Sequence, residues 1–415
     1  MEERSKRKIA ESTDRRPEEK TGEGAKARPE GKTWEGAETK SEEKTGEGAE
    51  TRPEGKIEES NEARPKGKIG EGTEARLKEK TGEATEGKAG ERAGAGNILT
   101  AKSDGMHFDA YQDCCLCPRM CGANRYESAG FCRAGTQIRA ARAALHLWEE
   151  PCISGRQGSG AVFFSNCTLR CVFCQNDKIS AQGFGKELSE RELADVFLRL
   201  QDEGAANIDL ITATHYLPGV LRALELVRHK LHIPVVYNCG GYERAETIRM
   251  LDGYIDIYLP DLKYSDAALA RRCSAAADYA DAAFPAIREM LRQCGVPGIS
   301  AEEIAKQPGG LLKRGVIIRH MVLPGQRQDS IRLLRRMKEE LPQGTFLLSL
   351  MSQYTPCYLA KTMPELKALH LDRRLTSYEY GKVLDEALRL GFDGYLQERT
   401  SAKEEYTPPF DLEGL

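Results

Sequence analysis

Three cysteines spaced Cys-x3-Cys-x2-Cys, Cys167, Cys171 and Cys174, lie between Asn166 and Gln175. Three thiolates on one loop hold three corners of a four-coordinate metal, or three irons of a cubane cluster, and leave one position open. A closed structural zinc site would take a fourth ligand nearby, and no further cysteine follows Cys174 before Cys239. An open position is what a metal centre needs in order to bind substrate. A second group, Cys114, Cys117, Cys121 and Cys132, puts four thiolates within 19 residues, with Cys115 as an alternate and Cys152 as a further candidate. Four ligands close a tetrahedral zinc site or hold an auxiliary iron–sulfur cluster, and spacing does not choose between them.

The elements that must position these groups are regular. Short apolar, β-rich runs at 160–166, 207–213, 233–238, 255–261, 315–321 and 345–351 read as buried parallel strands. Helical stretches follow them at 189–201, 217–231, 243–251, 265–294, 329–341 and 376–390. Ser189 with Glu192 forms a capping box, and Gly391 is a C-terminal stop. Six alternating units predict an α/β fold with a parallel sheet, because each parallel crossover needs a helix. A partial (β/α)6 TIM-like barrel over 153–415 fits better than a complete eight-unit one, with an ordinary doubly wound sheet as the alternative that periodicity leaves open. Function then gathers at the C-terminal ends of the strands. Each end is polar or unusual there: Asn166-Cys167, Thr212 with Thr214-His215, Asn238-Cys239, Asp261 with Lys263, Arg319-His320, and Ser352-Gln353. The cysteine triplet sits in the loop after the first of them.

The triplet, with the aromatic Phe173 before its last cysteine, resembles the signature of the radical S-adenosylmethionine (SAM) superfamily. That resemblance implies a [4Fe–4S] cluster on Cys167, Cys171 and Cys174 whose fourth iron chelates SAM, and reductive cleavage to a 5′-deoxyadenosyl radical. It also implies an electron donor of the ferredoxin or flavodoxin kind. Gly155-Arg156-Gln157-Gly158-Ser159-Gly160, Cys174-Gln175-Asn176, Tyr258-Leu259-Pro260-Asp261-Leu262-Lys263-Tyr264 and the run from Ile317 through Arg319-His320 to Pro324-Gly325 are similar to the pyruvate formate-lyase-activating-enzyme-like branch. Cys117-Pro118-Arg119 resembles the PflX-type subfamily, which carries a Cys-Pro-Arg segment ahead of the barrel. The likeness covers about 113 to 411 and implies a glycyl-radical protein as substrate. Two departures stand out. Asn166 replaces the glycine that many relatives have before the first cysteine; it is the side chain best able to share glycine's left-handed backbone region. The Gly-Gly-Glu that contacts the cofactor's amino group after strand two is replaced by Thr212-Ala213-Thr214-His215, while Gly240-Gly241-Tyr242-Glu243 follows strand three.

The residues expected at the cofactor are therefore Phe173, Asn176, Thr214, His215, Asp261, Lys263, Arg319 and His320. Alternation places Asp261 and Lys263 on one side, where the ammonium meets the cofactor carboxylate or pairs with Asp261. Arg319 and His320 are neighbours on a strand, so one of them faces the pocket. His215 and His320 have the alternative of a hydrogen-bonded structural role, and Cys239 that of a small buried hydrophobe.

The chain has 415 residues, 61 of them Lys or Arg and 64 Asp or Glu, a balance that argues against bulk-charge binding to nucleic acid or anionic membrane. The balance is uneven along the chain. Residues 1–96 hold 46 charged side chains and six of the Val, Ile, Leu, Met, Phe, Trp or Tyr type, in a 12-residue Lys/Glu unit repeated seven times. Such a segment cannot bury enough surface to offset its ordering entropy, so a disordered tail is expected there. A small cysteine-rich segment, 97–152, follows. No apolar run approaches the roughly 20 residues of a membrane span. Thirteen cysteines, an odd number clustered in two places, suit a reducing, cytoplasmic compartment rather than a disulfide framework. Three readings remain open on sequence: an activase of a glycyl-radical protein, a radical enzyme acting on a small molecule or peptide, and a non-catalytic iron–sulfur or zinc scaffold.

Overall fold

The computed structural model describes residues 109–397 and 407–415, with the backbone of three short strands at Ile9–Glu11, Lys102–Ser103 and Met106–His107. The expectation of a disordered repeat otherwise falls outside the described residues. Ile9–Glu11 itself runs parallel to the last strand of the sheet.

Nine strands of the described body form one sheet: β1 (Ile138–His146), β2 (Ser159–Phe164), β3 (Lys186–Leu188), β4 (Ile208–Ile211), β5 (Val235–Cys239), β6 (Ile257–Pro260), β7 (Gly315–Met321), β8 (Leu347–Met351) and β9 (Gly394–Leu396). Their order is β9-β8-β7-β6-β5-β4-β2-β1-β3. From β2 to β9 every pair is parallel, whereas β1 lies antiparallel to both β2 and β3. The ends do not meet, so this is a partial TIM-like barrel. It exceeds the six expected strands by β9 at one edge and β1 and β3 at the other. The Arg-rich, Ala-rich composition of β1 carries little β signal, and its membership moves sheet-forming chain into the segment read from sequence as separate.

The expected helices appear as α1 (Glu190–Asp202), α2 (Leu217–Val227), α3 (Ala245–Arg249), α4 (Ala267–Ser274), α5 (Tyr279–Cys294), α6 (Arg327–Glu340) and α7 (Ser377–Leu390). The capping box at Ser189 and Glu192 is formed, and Gly391 ends α7 in the left-handed region at φ 75°. The single helix expected over 265–294 is two, because Ala275 caps α4 at φ 52° and turns the chain. Alternation along the strands divides the sheet. Val162, Leu210, Tyr237, Ile318 and Leu348 join the helices in the main core. Val236, Ile257, Leu259, Ile317 and Leu347 face inward and close the barrel's lower end with Cys152, Ile153 and Ile304. Full burial of each such side chain contributes about 1.5–3 kcal/mol, before entropy is subtracted.

Candidate active site

Above the inner apolar plug, the inward positions turn polar. Asp209 on β4, Asn238 on β5, Arg319 on β7 and Ser349 on β8 are all inward by the same alternation, and Asp261 follows β6. Arg319 is the hub. Its guanidinium donates from Nε to Asp261 Oδ1 at 2.9 Å, from Nη1 to Glu149 Oε2 at 3.0 Å and from Nη2 to Asn238 Oδ1 at 2.5 Å. Asn238 Nδ2 in turn donates to Asp209 Oδ2 at 3.2 Å. Lys263 Nζ donates to Asp261 Oδ2 at 2.5 Å. Burial pushes the carboxyls of Glu149, Glu150 and Asp209 up, with like-charged neighbours adding to it. Burial also pushes Asp261 up, but Arg319 and Lys263 outweigh it and hold that carboxyl below its ordinary value. Lys263 is raised, since Asp261 and Cys171 favour its cation more than burial opposes it.

This polar layer floors a cavity of about 300 Å³. Cys167, Cys171 and Cys174 line it, together with Phe173, Asn176, Asp261, Lys263, Arg319 and Gln353. The loop starts from a left-handed residue, Asn166 at φ 71°, whose Nδ2 donates to Tyr216 OH at 2.9 Å. The His215 ring nitrogen Nε2 lies 2.8 Å from Ser165 O and fixes the strand end behind it. Each thiol has a hydrogen-bonding neighbour: Leu169 N–H at 3.4 Å from Cys167 Sγ, Ser274 Oγ at 3.0 Å from Cys171 Sγ, and Ser180 Oγ at 3.2 Å from Cys174 Sγ. Phe173 meets Tyr354 edge to face at 5.7 Å. Burial and the neighbouring Cys171 raise the Cys174 thiol to about 12 and Cys167 further, while Lys263 opposes both shifts. Thiols that resist ionisation when empty are deprotonated by metal binding, so the penalty here is one a cationic cluster removes.

Among the described residues no three His, Cys, Asp or Glu side chains converge on a point where one ion would sit. A cubane takes one thiolate per iron, so three sulfurs lining one cavity suit three corners of a cluster. In the second group Cys114, Cys117 and Cys132 are buried and Cys121 is exposed; Cys117 lies within electrostatic reach of Cys114 and Cys132, and Cys132 within reach of Cys114 and Cys121. This segment grips the barrel through Arg119. Its Nε donates to Thr168 O at 3.1 Å and Nη2 to Ser274 O at 3.2 Å, with Phe131 4.0 Å and Tyr242 4.9 Å from the guanidinium.

Three residues expected at the cofactor stand elsewhere. His320 faces the helices, with Nδ1 2.7 Å from Leu262 O, because it follows the inward Arg319 by one residue. Thr214 donates to Glu243 Oε1 at 2.9 Å and accepts from Tyr237 OH at 3.0 Å, behind the sheet. His215 supports Ser165 from outside the cavity; burial lowers its pKa to about 4. Cys239 does reach the cavity lining. Sequence reasoning left out Glu149, Asp209, His146 and Trp148. A lone acid in the apolar run Ile208-Asp209-Leu210-Ile211 was the available signal for Asp209. For Glu149, which follows the unrecognised strand β1, there was none.

Residues 161–363 match the family described as the Radical SAM superfamily. An uncharacterized protein of Methanocaldococcus jannaschii is 28% identical over 294 residues, covering 68% of this chain and 76% of that protein. Among solved structures, Streptococcus suis SuiB bound to precursor peptide SuiA is 13% identical with a TM-score of 0.37, and the aligned region covers 56% of this chain. This chain spans 46% of the length of that SuiB chain. Methylornithine synthase (PylB) is 13% identical with a TM-score of 0.31, over 55% of this chain and 68% of that one.

Proposed function

We propose that this chain is a radical SAM enzyme, its residues 161–363 matching the Radical SAM superfamily, in which Cys167, Cys171 and Cys174 hold a [4Fe–4S] cluster with SAM at its open iron. The observation that carries the reading is one cavity lined by all three thiols and floored by paired cations and carboxylates. When bound, the cluster and SAM supply a one-electron route to a 5′-deoxyadenosyl radical. The chain's own residues do the rest. Lys263 offers a cation on the cavity side, Phe173 an aromatic surface, and Asn176 a polar group at the loop's end. Asp261, held ionised, keeps Lys263 and Arg319 aimed inward. The apolar plug of Val236, Ile257, Leu259 and Ile317 closes the lower end against water. A ferredoxin or flavodoxin-like protein supplies the electron.

Resemblance to the activating-enzyme branch supports a glycyl-radical protein as the substrate. The thiols of Cys114, Cys117, Cys121 and Cys132 form a second metal centre, an auxiliary iron–sulfur cluster, supported by their density and by the burial of three of the four. Thirteen free cysteines support a reducing, cytoplasmic setting, and among the described residues no helix is long and apolar enough to cross a membrane.

Anaerobic reconstitution with iron, sulfide, a reductant and SAM should yield 5′-deoxyadenosine, and Cys174→Ala should yield none above background. Equal yields from the two proteins would sink the reading. In the same preparations, Cys117→Ala with Cys121→Ala should lower the iron content and leave zinc unchanged.

A further inference from the structure

Residues 407–415 leave the cavity and run along the outer edge of β1. Thr407 and Pro408 line the cavity itself. Leu412 N–H then donates to Ala141 O at 3.0 Å, and Ala143 N–H to Glu413 O at 2.9 Å. These are strand-like bonds on a stretch of β1 beyond the three residues, Ile138 to Ala140, that β3 pairs. Phe410 is the one buried side chain of the segment; its ring sits 5.6 Å from Phe163 in an apolar slot with Ala141, Ala161 and Ile179. Three cations flank the slot. Lys178 Nζ donates to Phe410 O at 2.5 Å, Arg142 to Pro409 O at 3.1 Å and Asp411 Oδ1 at 2.9 Å, and Arg199 to Gly414 O at 2.8 Å. Arg142 also pairs with Glu413.

We propose that this edge is a peptide-binding site, held in cis by residues 407–415 and taken over by an extended segment of the substrate protein. The contacts specify the ligand: backbone complementary to a strand edge, one bulky aromatic for the Phe163–Ile179 slot, and acidic residues following it for Arg142. Strand addition of this kind draws affinity from main-chain bonds and selectivity from side-chain pockets. A segment bound here is led directly into the cavity, as Thr407 and Pro408 are. The cis segment competes at the high effective concentration of a tethered ligand, so the free edge is a minor state and apparent affinity falls by that fraction.

The inference rests on a protein substrate for the radical chemistry, yet its test does not require that chemistry. Fluorescence anisotropy would follow a labelled octapeptide, Pro-Pro-Phe-Asp-Leu-Glu-Gly-Leu (residues 408–415), on the full chain. Phe410→Ala should bind it at least tenfold more tightly than the unaltered protein, and adding Arg142→Glu should remove the gain. Asp411→Lys with Glu413→Lys leaves the core ring in place and should give a smaller gain of the same sign. Affinities within twofold of the unaltered protein in both loosened variants overturn the proposal. Assaying 5′-deoxyadenosine in the same samples separates the two ideas. Cleavage without a change in peptide binding rejects the edge alone, and peptide binding without cleavage rejects the radical reading alone.

Discussion

The inner and outer faces of the sheet carry different buried polar groups. Inside, Asp209, Asn238, Asp261, Lys263, Arg319 and Glu149 form one connected set that opens onto a cavity. Outside, Thr214, Tyr237, Glu243 and His320 are buried among helices and bond to one another or to single backbone groups. The inner set is rich in charge and can exchange partners with a ligand; the outer set is sealed. A polar residue at a strand's end is therefore a site candidate only when its place in the two-residue alternation turns it inward.

The largest expected effect tests the inner set. Arg319→Met leaves Asp261 and Glu149 without their guanidinium, a change that costs about 3–5 kcal/mol when one partner of a buried pair is lost. Denaturant unfolding at pH 7 would measure it. The loss should shrink at pH 5, where the stranded carboxyls can take up protons. A loss under about 1 kcal/mol at both pH values would break the distinction between the faces. SAM binding sharpens it. Lys263→Met should weaken equilibrium binding of SAM to the reconstituted protein at least tenfold, and His320→Asn should change it less than twofold.

The periodicity that sequence reading relies on recovered this architecture where each strand is uniformly apolar. The run at 315–321 coincides with β7, and the end of that run placed Arg319 and His320 on opposite faces. What remained hidden lacked such a pattern. β1 reads Ile-Arg-Ala-Ala-Arg-Ala-Ala-Leu-His, with its buried positions after Ile138 filled by small alanines, while Arg139 and Arg142 pair with Glu187 and Asp411. The split between α4 and α5 turns on one left-handed alanine, a residue type that gives no warning. Gly240-Gly241-Tyr242-Glu243 stands after the third of the expected strands, yet the fold brings Glu243 to Thr214 at the end of the second. Only tertiary packing of neighbouring parallel strands makes that contact.

Glu243 offers a middle-sized test of the sealed face. Burial raises its carboxyl to about 8, and its Oε2 has no hydrogen-bond partner. Its folded pKa lies above the unfolded value, so its contribution to stability is full below about pH 4.5 and is lost as pH rises toward 8. Within that window the slope from this one group is about 1.4 kcal/mol per pH unit. His215, lowered to about 4 by burial, acts in the opposite sense: its contribution is present above about pH 6.5 and is lost as pH falls toward 4. Comparing unfolding of the unaltered protein and Glu243→Gln from pH 5 to 8 cancels the histidine. The variant should lose less stability with rising pH, and parallel curves would mean that the outer carboxyl is ionised and solvated.

The smallest effect is expected where the two faces meet, at Asn166, the residue that turns the chain from β2 into the cysteine loop. A left-handed backbone at φ 71° costs an ordinary L-residue roughly 1–2 kcal/mol, which glycine escapes and asparagine partly escapes. Asn166→Gly removes that strain but also removes the bond to Tyr216 OH, worth about 0.5–1.5 kcal/mol, and adds roughly 0.4–1 kcal/mol of unfolded-state freedom. These terms nearly cancel, so unfolding should shift by less than about 1 kcal/mol and the reconstituted cluster's visible absorption should be unchanged. Asn166→Ala keeps the strain and loses the bond, and it should cost about 1–3 kcal/mol. If glycine were as costly as alanine, the Tyr216 bond rather than the backbone would be what asparagine is there to supply. The loop would then be set by the outer face, through Tyr216, and not by the turn itself.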